Sequence, residues 1–338
     1  MNLLARRCLP LVLLAAGASV AADTKPVLVI HGGAGVVRKE MTPELERDVE
    51  AALRRAIAAG RSALDAGKPA LDGVTAAIVV LEDDPNFNAA RGAVFTHEGR
   101  NELDASLMDG ATRRAGAIAG VHTVRNPITL ARAVMEQSPH VMLVGDGAEA
   151  FAKSVGIALV DPSYFRTERR WQQLQKALAE EKAGAASSDF ETARHFGTVG
   201  AVALDRSGKL AAGTSTGGMT NKRWGRVGDS PIIGAGTWAD AHCAVSATGW
   251  GEFYIRTAAA HSICARRALL REPLAKAAKA VINDEIPQLG GDGGAIALDR
   301  DGHIAMPFNT DGMFRAWLDR DGKTHVAIYA DEVLAADP

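Results

Sequence analysis

Apolar residues recur along this 338-residue chain with two different periods, and the changes of period mark its elements. Val27-Leu28-Val29-Ile30 is a continuous apolar run entering His31-Gly32-Gly33-Ala34-Gly35, which predicts a buried strand followed by a tight turn. Leu45, Val49, Leu53, Ile57 and Leu64 then repeat at helical spacing up to Gly67. Thr42 caps that helix, with Pro43 at its first position. A second helix is predicted over residues 71–81, short strands at 93–95 and 103–108, and helices near 130–135 and 149–155.

Between residues 166 and 197 the pattern fades. The stretch is charged, carries Glu180-Glu181-Lys182 and Ala185-Ala186-Ser187-Ser188, and has no apolar face after Leu178, so a mobile linker is expected. It ends at Gly197-Thr198. Beyond it strands dominate, with three turns of one kind, Asp205-Arg206-Ser207-Gly208, Asp299-Arg300-Asp301-Gly302 and Asp319-Arg320-Asp321-Gly322. These are hairpin turns; Asp299-x-Asp301-Gly302 lacks the later acidic ligands of a calcium loop. A long helix is expected over 252–270 and another over 273–286. Helices flanking strand clusters in both halves predict a layered α+β sandwich.

Composition changes this picture at the N-terminus. Arg6 and Arg7 precede a short apolar run, and Val20-Ala21-Ala22 ends in small residues, the pattern of a leader cleaved after residue 22. Export to the periplasm or outside the cell is expected. Losing Arg6 and Arg7, and no acid, would carry the formal charge from −2 to −4, which argues against nucleic acid and anionic membranes as partners. Cys8 leaves with the leader. Cys243 and Cys264 remain, either as a disulfide or as two buried thiols.

Several motifs compete for the chemistry. Gly213-Thr214-Ser215-Thr216-Gly217 fits a nucleophile elbow, but no amphipathic helix follows it. The turn after Ile30 lacks the Lys-Ser/Thr of a phosphate loop. The nine histidines form no zinc-ligand spacing, and His31 and His195 read as structural. Arg226-Val227-Gly228-Asp229-Ser230-Pro231 is either a surface ion pair or a clamp for a zwitterion, Arg on an α-carboxylate and Asp on an α-ammonium. Ala247-Thr248-Gly249-Trp250-Gly251-Glu252 is a helix-entry turn whose hydroxyl and N–H groups could line an oxyanion hole. Thr198 carries a hydroxyl that, once the Gly197–Thr198 bond is cut, lies beside its own free amine, a nucleophile with a built-in base.

Six ordered motifs are similar to the isoaspartyl peptidase and plant-type L-asparaginase family of N-terminal nucleophile (Ntn) hydrolases: His31 to Gly35, Phe87-Asn88-Ala89, Gly197 to Gly200, Thr214 to Met219, Gly225 to Pro231 and Thr248 to Glu252. The resemblance runs from about residue 25 to 329. It implies a four-layer αββα sandwich with two antiparallel sheets between helical layers. It also implies self-cleavage into an N-terminal subunit, 23–197, and a C-terminal subunit, 198–338, that together form one structural domain. Thr198 is then the nucleophile and Thr216 the threonine that tunes it. Thr248 and Gly249 make oxyanion and substrate contacts, Arg226 and Asp229 hold the substrate's α-charges, and Gly251 and Asn88 line the site. No catalytic cofactor is implied. A structural sodium is, held by the backbone of Leu81, Glu82, Asp84, Phe87, Ala89 and Arg91. Two positions depart from the family pattern: Ala90 follows Ala89 where glycine is usual, and Trp250 stands between Gly249 and Gly251.

The implied substrates are isoaspartyl dipeptides and L-asparagine, and the implied assembly is a dimer of cleaved heterodimers. Glycosylasparaginase shares the nucleophile and clamp and is the nearest alternative. A non-processing amino-acid-binding protein is the alternative from another class.

Overall fold

The computed structural model describes residues 24–183 and 197–332. The expected leader, and the part of the expected linker at 184–196 with His195, lie outside the described residues.

The N-terminal half runs β1 (Val27–Ala34), α1 (Pro43–Asp65), α2 (Ala70–Glu82), β2 (Leu103–Asp109), β3 (Ala115–Val121), α3 (Pro127–Gln137), β4 (Met142–Val144), α4 (Gly145–Ser154) and α5 (Glu168–Lys182). The C-terminal half runs β5 (Val199–Leu204), β6 (Leu210–Thr216), β7 (Thr237–Ala239), β8 (Cys243–Gly249), α6 (Gly251–Thr257), α7 (Ala259–Leu270), α8 (Leu274–Lys279), β9 (Gly293–Asp299), β10 (Ile304–Ala305), β11 (Gly312–Leu318) and β12 (Thr324–Tyr329).

Among the described residues the strands form an eight-stranded sheet, β12-β11-β1-β5-β6-β2-β3-β4, and a four-stranded sheet, β10-β9-β8-β7. The period of two along each strand explains how they stack. Leu28 and Ile30 of β1, with Val199, Ala201 and Ala203 of β5, face the α1–α3 layer. Val27, Val29, Val202 and Leu204 face the other way and meet Ala244, Ile296 and Leu298 of the small sheet. Val245, Ala247, Ala295 and Ala297 turn from that second core to α6–α8. The result is the expected α+β sandwich of four layers. The large sheet is mixed rather than wholly antiparallel, because β4 joins β3 in parallel after the α3 crossover.

Thr42 caps α1 as expected, its side chain accepting from the Leu45 N–H. The three Asp-Gly turns are hairpins: Asp205, Asp299 and Asp319 each accept backbone N–H groups two and four residues on. The second carboxylate oxygen of Asp299 is held by Arg267 and His303.

Four local expectations are corrected. Residues 168–182 are not mobile linker but α5, capped by Thr167 and anchored by buried Arg170 and Leu174. The anchor is a polar side chain, which an apolar-face criterion does not register. Residues 93–95 form no strand; they lead to a single bridge from Thr96 to Lys222. The helix expected over 252–270 breaks at Ala258, which turns left-handed (φ 46°). Beyond Lys279 the third C-terminal helix continues as a π-helical turn over Ala280–Glu285. Cys243 and Cys264 are joined in a disulfide that ties β8 to α7.

Candidate active site

The alternation that builds the core also places the chemistry. Continuing the inter-sheet parity of each strand to its end puts Thr198 before β5, Thr216 on β6 and Thr248 on β8 in the same layer. Val199 pairs with Ser215, so Thr198 and Thr216 come opposite each other across the β5–β6 ladder. Thr198 Oγ1 donates to Thr216 Oγ1 at 3.0 Å, and the Gly218 N–H donates to the same oxygen at 3.0 Å. The Gly197–Thr198 bond lies against Gly33. A Cβ on Gly33 (φ 111°) would stand 2.6 Å from Gly197 Cα and 3.1 Å from Thr198 N, so only glycine lets the turn of β1 pass there.

Asn88 braces this corner from the N-terminal half. Its Nδ2 donates to the Gly218 carbonyl at 2.7 Å, and its Oδ1 accepts from the Val94 N–H at 3.0 Å. Beneath it runs a buried hydroxyl chain that sequence reasoning missed. His31 Nε2 meets Ser246 Oγ (3.0 Å), Ser246 meets Thr214 (2.7 Å), Thr237 meets Thr214 (2.6 Å), and Ser106 meets Thr237 (2.9 Å) and donates to the Ser230 carbonyl (2.6 Å). Loss of water lowers the His31 pKa to about 3, outweighing a smaller contact with the Thr198 backbone, so the ring is neutral. His31 is thus a buried, neutral member of this hydrogen-bonded chain.

The expected clamp faces the same cleft, whose lining includes Gly197, Thr198, Thr216, Arg226, Asp229 and Gly249. Arg226 is not a surface pair with Asp229. Its Nε and Nη2 grip Glu252 of α6 at 2.9 and 2.8 Å. Asp229 is buried, and its Oδ2 has no hydrogen-bond partner among the described residues. Burial pushes its pKa up to about 7, with Arg226 pulling the other way. Nearby Asp104 is also buried, raised by desolvation and opposed by Lys222, itself paired with Glu102 at 3.6 Å. Asp104, Lys222 and Glu102 stood in none of the six motifs, and Glu252, which ends the Thr248 motif, had been given no role.

Gly249 (φ 154°) leaves no room for a side chain, since a Cβ would lie 2.4 Å from the Asp292 carbonyl. Gly251 is a spacer behind the clamp: its Cβ would fall 2.8 Å from Asp229 Oδ1 and 2.9 Å from Arg226 Nη2. Thr248 Oγ1 accepts the Ala34 N–H at 3.3 Å. Trp250 stacks edge-on against Phe253, ring centres 5.0 Å apart.

In the loop after α2, a Cβ on Gly92 would meet the Phe87 oxygen at 2.0 Å and the Pro85 oxygen at 2.7 Å, so glycine is required there. Both are neutral carbonyls of the kind a hard cation takes, and Phe87 is one of the six residues expected to hold sodium. Ala90 sits at φ 42°, the left-handed conformation that glycine adopts without penalty and alanine takes at about 1–2 kcal/mol.

Comparison with known proteins follows the same line. The family profile described as asparaginase matches residues 24–328. An isoaspartyl peptidase of Escherichia coli strain K12 is 51% identical over 300 residues, covering 87% of this chain and 92% of that protein. An isoaspartyl peptidase of Salmonella typhimurium is 50% identical, covering 87% and 95%. A human isoaspartyl peptidase/L-asparaginase is 38% identical, covering 92% and 99%.

Proposed function

The chain belongs to the asparaginase family, and from that premise we propose a self-processing threonine amidohydrolase that acts on β-aspartyl dipeptides and L-asparagine. One observation carries this: the Gly197–Thr198 bond, Thr216 and the Arg226/Asp229 pair line a single cleft.

Thr198 Oγ attacks the Gly197 carbonyl carbon, the C–N bond breaks, and the hydroxyl proton passes to the departing Thr198 amine. Water then splits the resulting ester, leaving a carboxylate on Gly197 and returning the hydroxyl to Thr198. The new amine has a reference pKa of about 7.7–8.0 and serves as general base near neutrality. A substrate places its α-ammonium on Asp229, whose Oδ2 is otherwise unmatched. Its α-carboxylate takes Arg226 Nη1, which faces Gly228 while Nε and Nη2 hold Glu252. Thr198 attacks the β-carbonyl, Thr248 and Gly249 steady the oxyanion, the amine leaves with a proton, and water releases aspartate.

The loop of Leu81, Glu82, Asp84, Phe87, Ala89 and Arg91 would hold a sodium ion, in a structural role only. Thermal stability should be higher in sodium chloride than in choline chloride of equal ionic strength. The leader pattern and the Cys243–Cys264 disulfide support export. An assembly of two cleaved units is also proposed; the edge strand β4, with Met142 and Val144 exposed, offers an apolar border for a partner.

The test is a denaturing gel with N-terminal sequencing, and turnover of β-aspartyl-leucine, asparagine and a glycosylated asparagine side by side. The small fragment should begin at Thr198. A different first residue would remove the mechanism, and activity on the glycosylated substrate alone would assign the other specificity.

A further inference from the structure

Gly197 has a second face. Opposite the clamp it lines a cavity of about 160 Å³ whose wall includes Asn86, Asn88, Arg169, Arg170 and Gln173. We propose that this cavity is a docking site for the carboxylate that self-cleavage creates on Gly197, with Arg170 as its cation. The inference rests on the cut proposed above.

Three observations support it. Arg170 is only 5% exposed, and among the described residues no carboxylate pairs with it, whereas Asp84 acts on neighbouring Arg169. Its Nε is spent on the Gly92 carbonyl (2.8 Å) and its Nη1 on Gln173 Oε1 (3.0 Å), while Arg169 donates to the Asn86 carbonyl (2.7 Å). A buried guanidinium answered only by neutral acceptors lacks its countercharge.

The second observation is distance. A Cβ built on Gly197 would lie 3.0 Å from Asn88 Cβ, which must yield a few tenths of an ångström, 3.5 Å from the Asn88 backbone nitrogen and 3.9 Å from Arg170 Nη2. A carboxylate carbon stands at the same bond length from Cα, and its oxygens reach further. Rotation about one bond therefore brings an oxygen within hydrogen-bonding range of Nη2.

The third is timing. Before the cut, Gly197 carries a neutral peptide carbonyl. Hydrolysis of the ester puts a full negative charge next to the unpaired cation and draws the new end away from Thr198. The dock thus clears the nucleophile and opposes the reverse acyl transfer. The far wall of the cavity is apolar, with Val36, Val37, Met41, Leu45, Val49 and Phe314, and also carries Glu40, so the polar contacts for a carboxylate lie on the Arg170 side.

The experiment uses the processed full-length enzyme and a carboxypeptidase, with the large fragment weighed by mass spectrometry. Gly197 should resist release in the native protein and be lost once the protein is unfolded in urea. Arg170→Gln should speed release about tenfold or more, the loss expected of one charged hydrogen bond. Arg170→Lys should be intermediate, and asparagine turnover should persist in both. If Arg170→Gln does not fold, Arg169→Gln provides the comparison and should also speed release.

Rapid release of Gly197 from native wild-type enzyme would overturn the dock, as would full protection in the glutamine variants. A rise in KM confined to β-aspartyl dipeptides would assign the cation to the leaving residue's carboxylate instead, and also overturn it. A single uncut band would sink the self-cleavage mechanism and the dock together, whereas a cut with unprotected Gly197 sinks only the dock.

Discussion

The two sides of the cleft are built from opposite materials. On the nucleophile side, Thr198, Thr216, Asn88 and the hydroxyl chain from His31 to Ser106 exchange short neutral hydrogen bonds. On the clamp side, Arg226, Glu252, Asp229, Asp104 and Lys222 are ionisable groups packed together, and both Asp229 and Asp104 keep a buried oxygen without a partner. The neutral side already joins Thr198 to Thr216 in the uncut chain, with only His31 Nδ1 left without a partner among the described residues, as the proposed intramolecular attack requires. The charged side keeps these unmatched oxygens, which in the proposed mechanism would receive the substrate's α-ammonium. On that proposal, preorganisation serves the cut and deferred electrostatics serves the substrate.

This contrast can be broken most sharply at Thr198. Thr198→Ala should leave one uncut chain and lower amide hydrolysis by at least about 10⁴-fold, the scale of losing a nucleophile. A residual fragment pair on a gel would separate the cut from the hydroxyl. Next comes Asp229→Asn, which should still cut itself yet lose about 10²-fold or more in kcat/KM, since a buried charged hydrogen bond is removed. Failure of this variant to mature would join the two sides functionally. Thr216→Val should slow both cut and turnover by about 10–100-fold, the cost of one hydrogen bond to the nucleophile; an effect on turnover alone would confine Thr216 to the mature enzyme.

The smallest effect is in pH. The Asp229 carboxyl is raised to about 7 in the free site, so it is protonated below that value and offers no charge to an ammonium. For wild type, kcat/KM should fall about tenfold per unit below pH 7 from this group. The Thr198 amine contributes a second limb, and Asp229→Asn should leave only that one. An unchanged slope in the variant would show that Asp229 is ionised throughout.

The sequence carried the named chemistry because it lies in short contiguous motifs. Gly197-Thr198, the Thr216 run and the Arg226/Asp229 loop could be read without knowing the fold. Their supports could not. Lys222 and Glu102 are 120 residues apart, and Ser106 meets Thr237 across 131. Neither pair leaves a local signal, because each residue alone looks like an ordinary strand or loop residue. α5 was missed for a related reason: it is so polar that few apolar residues mark the face anchored by Arg170 and Leu174.

By itself, then, the chain indicated the first strand, the capped first helix, the hairpin turns and the candidate reacting groups, since these follow from periodicity and local bonding. Tertiary packing, of helix on sheet as well as sheet on sheet, decided the rest. It turned Arg226 toward Glu252 instead of Asp229, joined Cys243 to Cys264, and threaded hydroxyls between the layers. It also set Arg170 beside Gly197. Partners of that kind are chosen by distance in space, which the order of residues does not record.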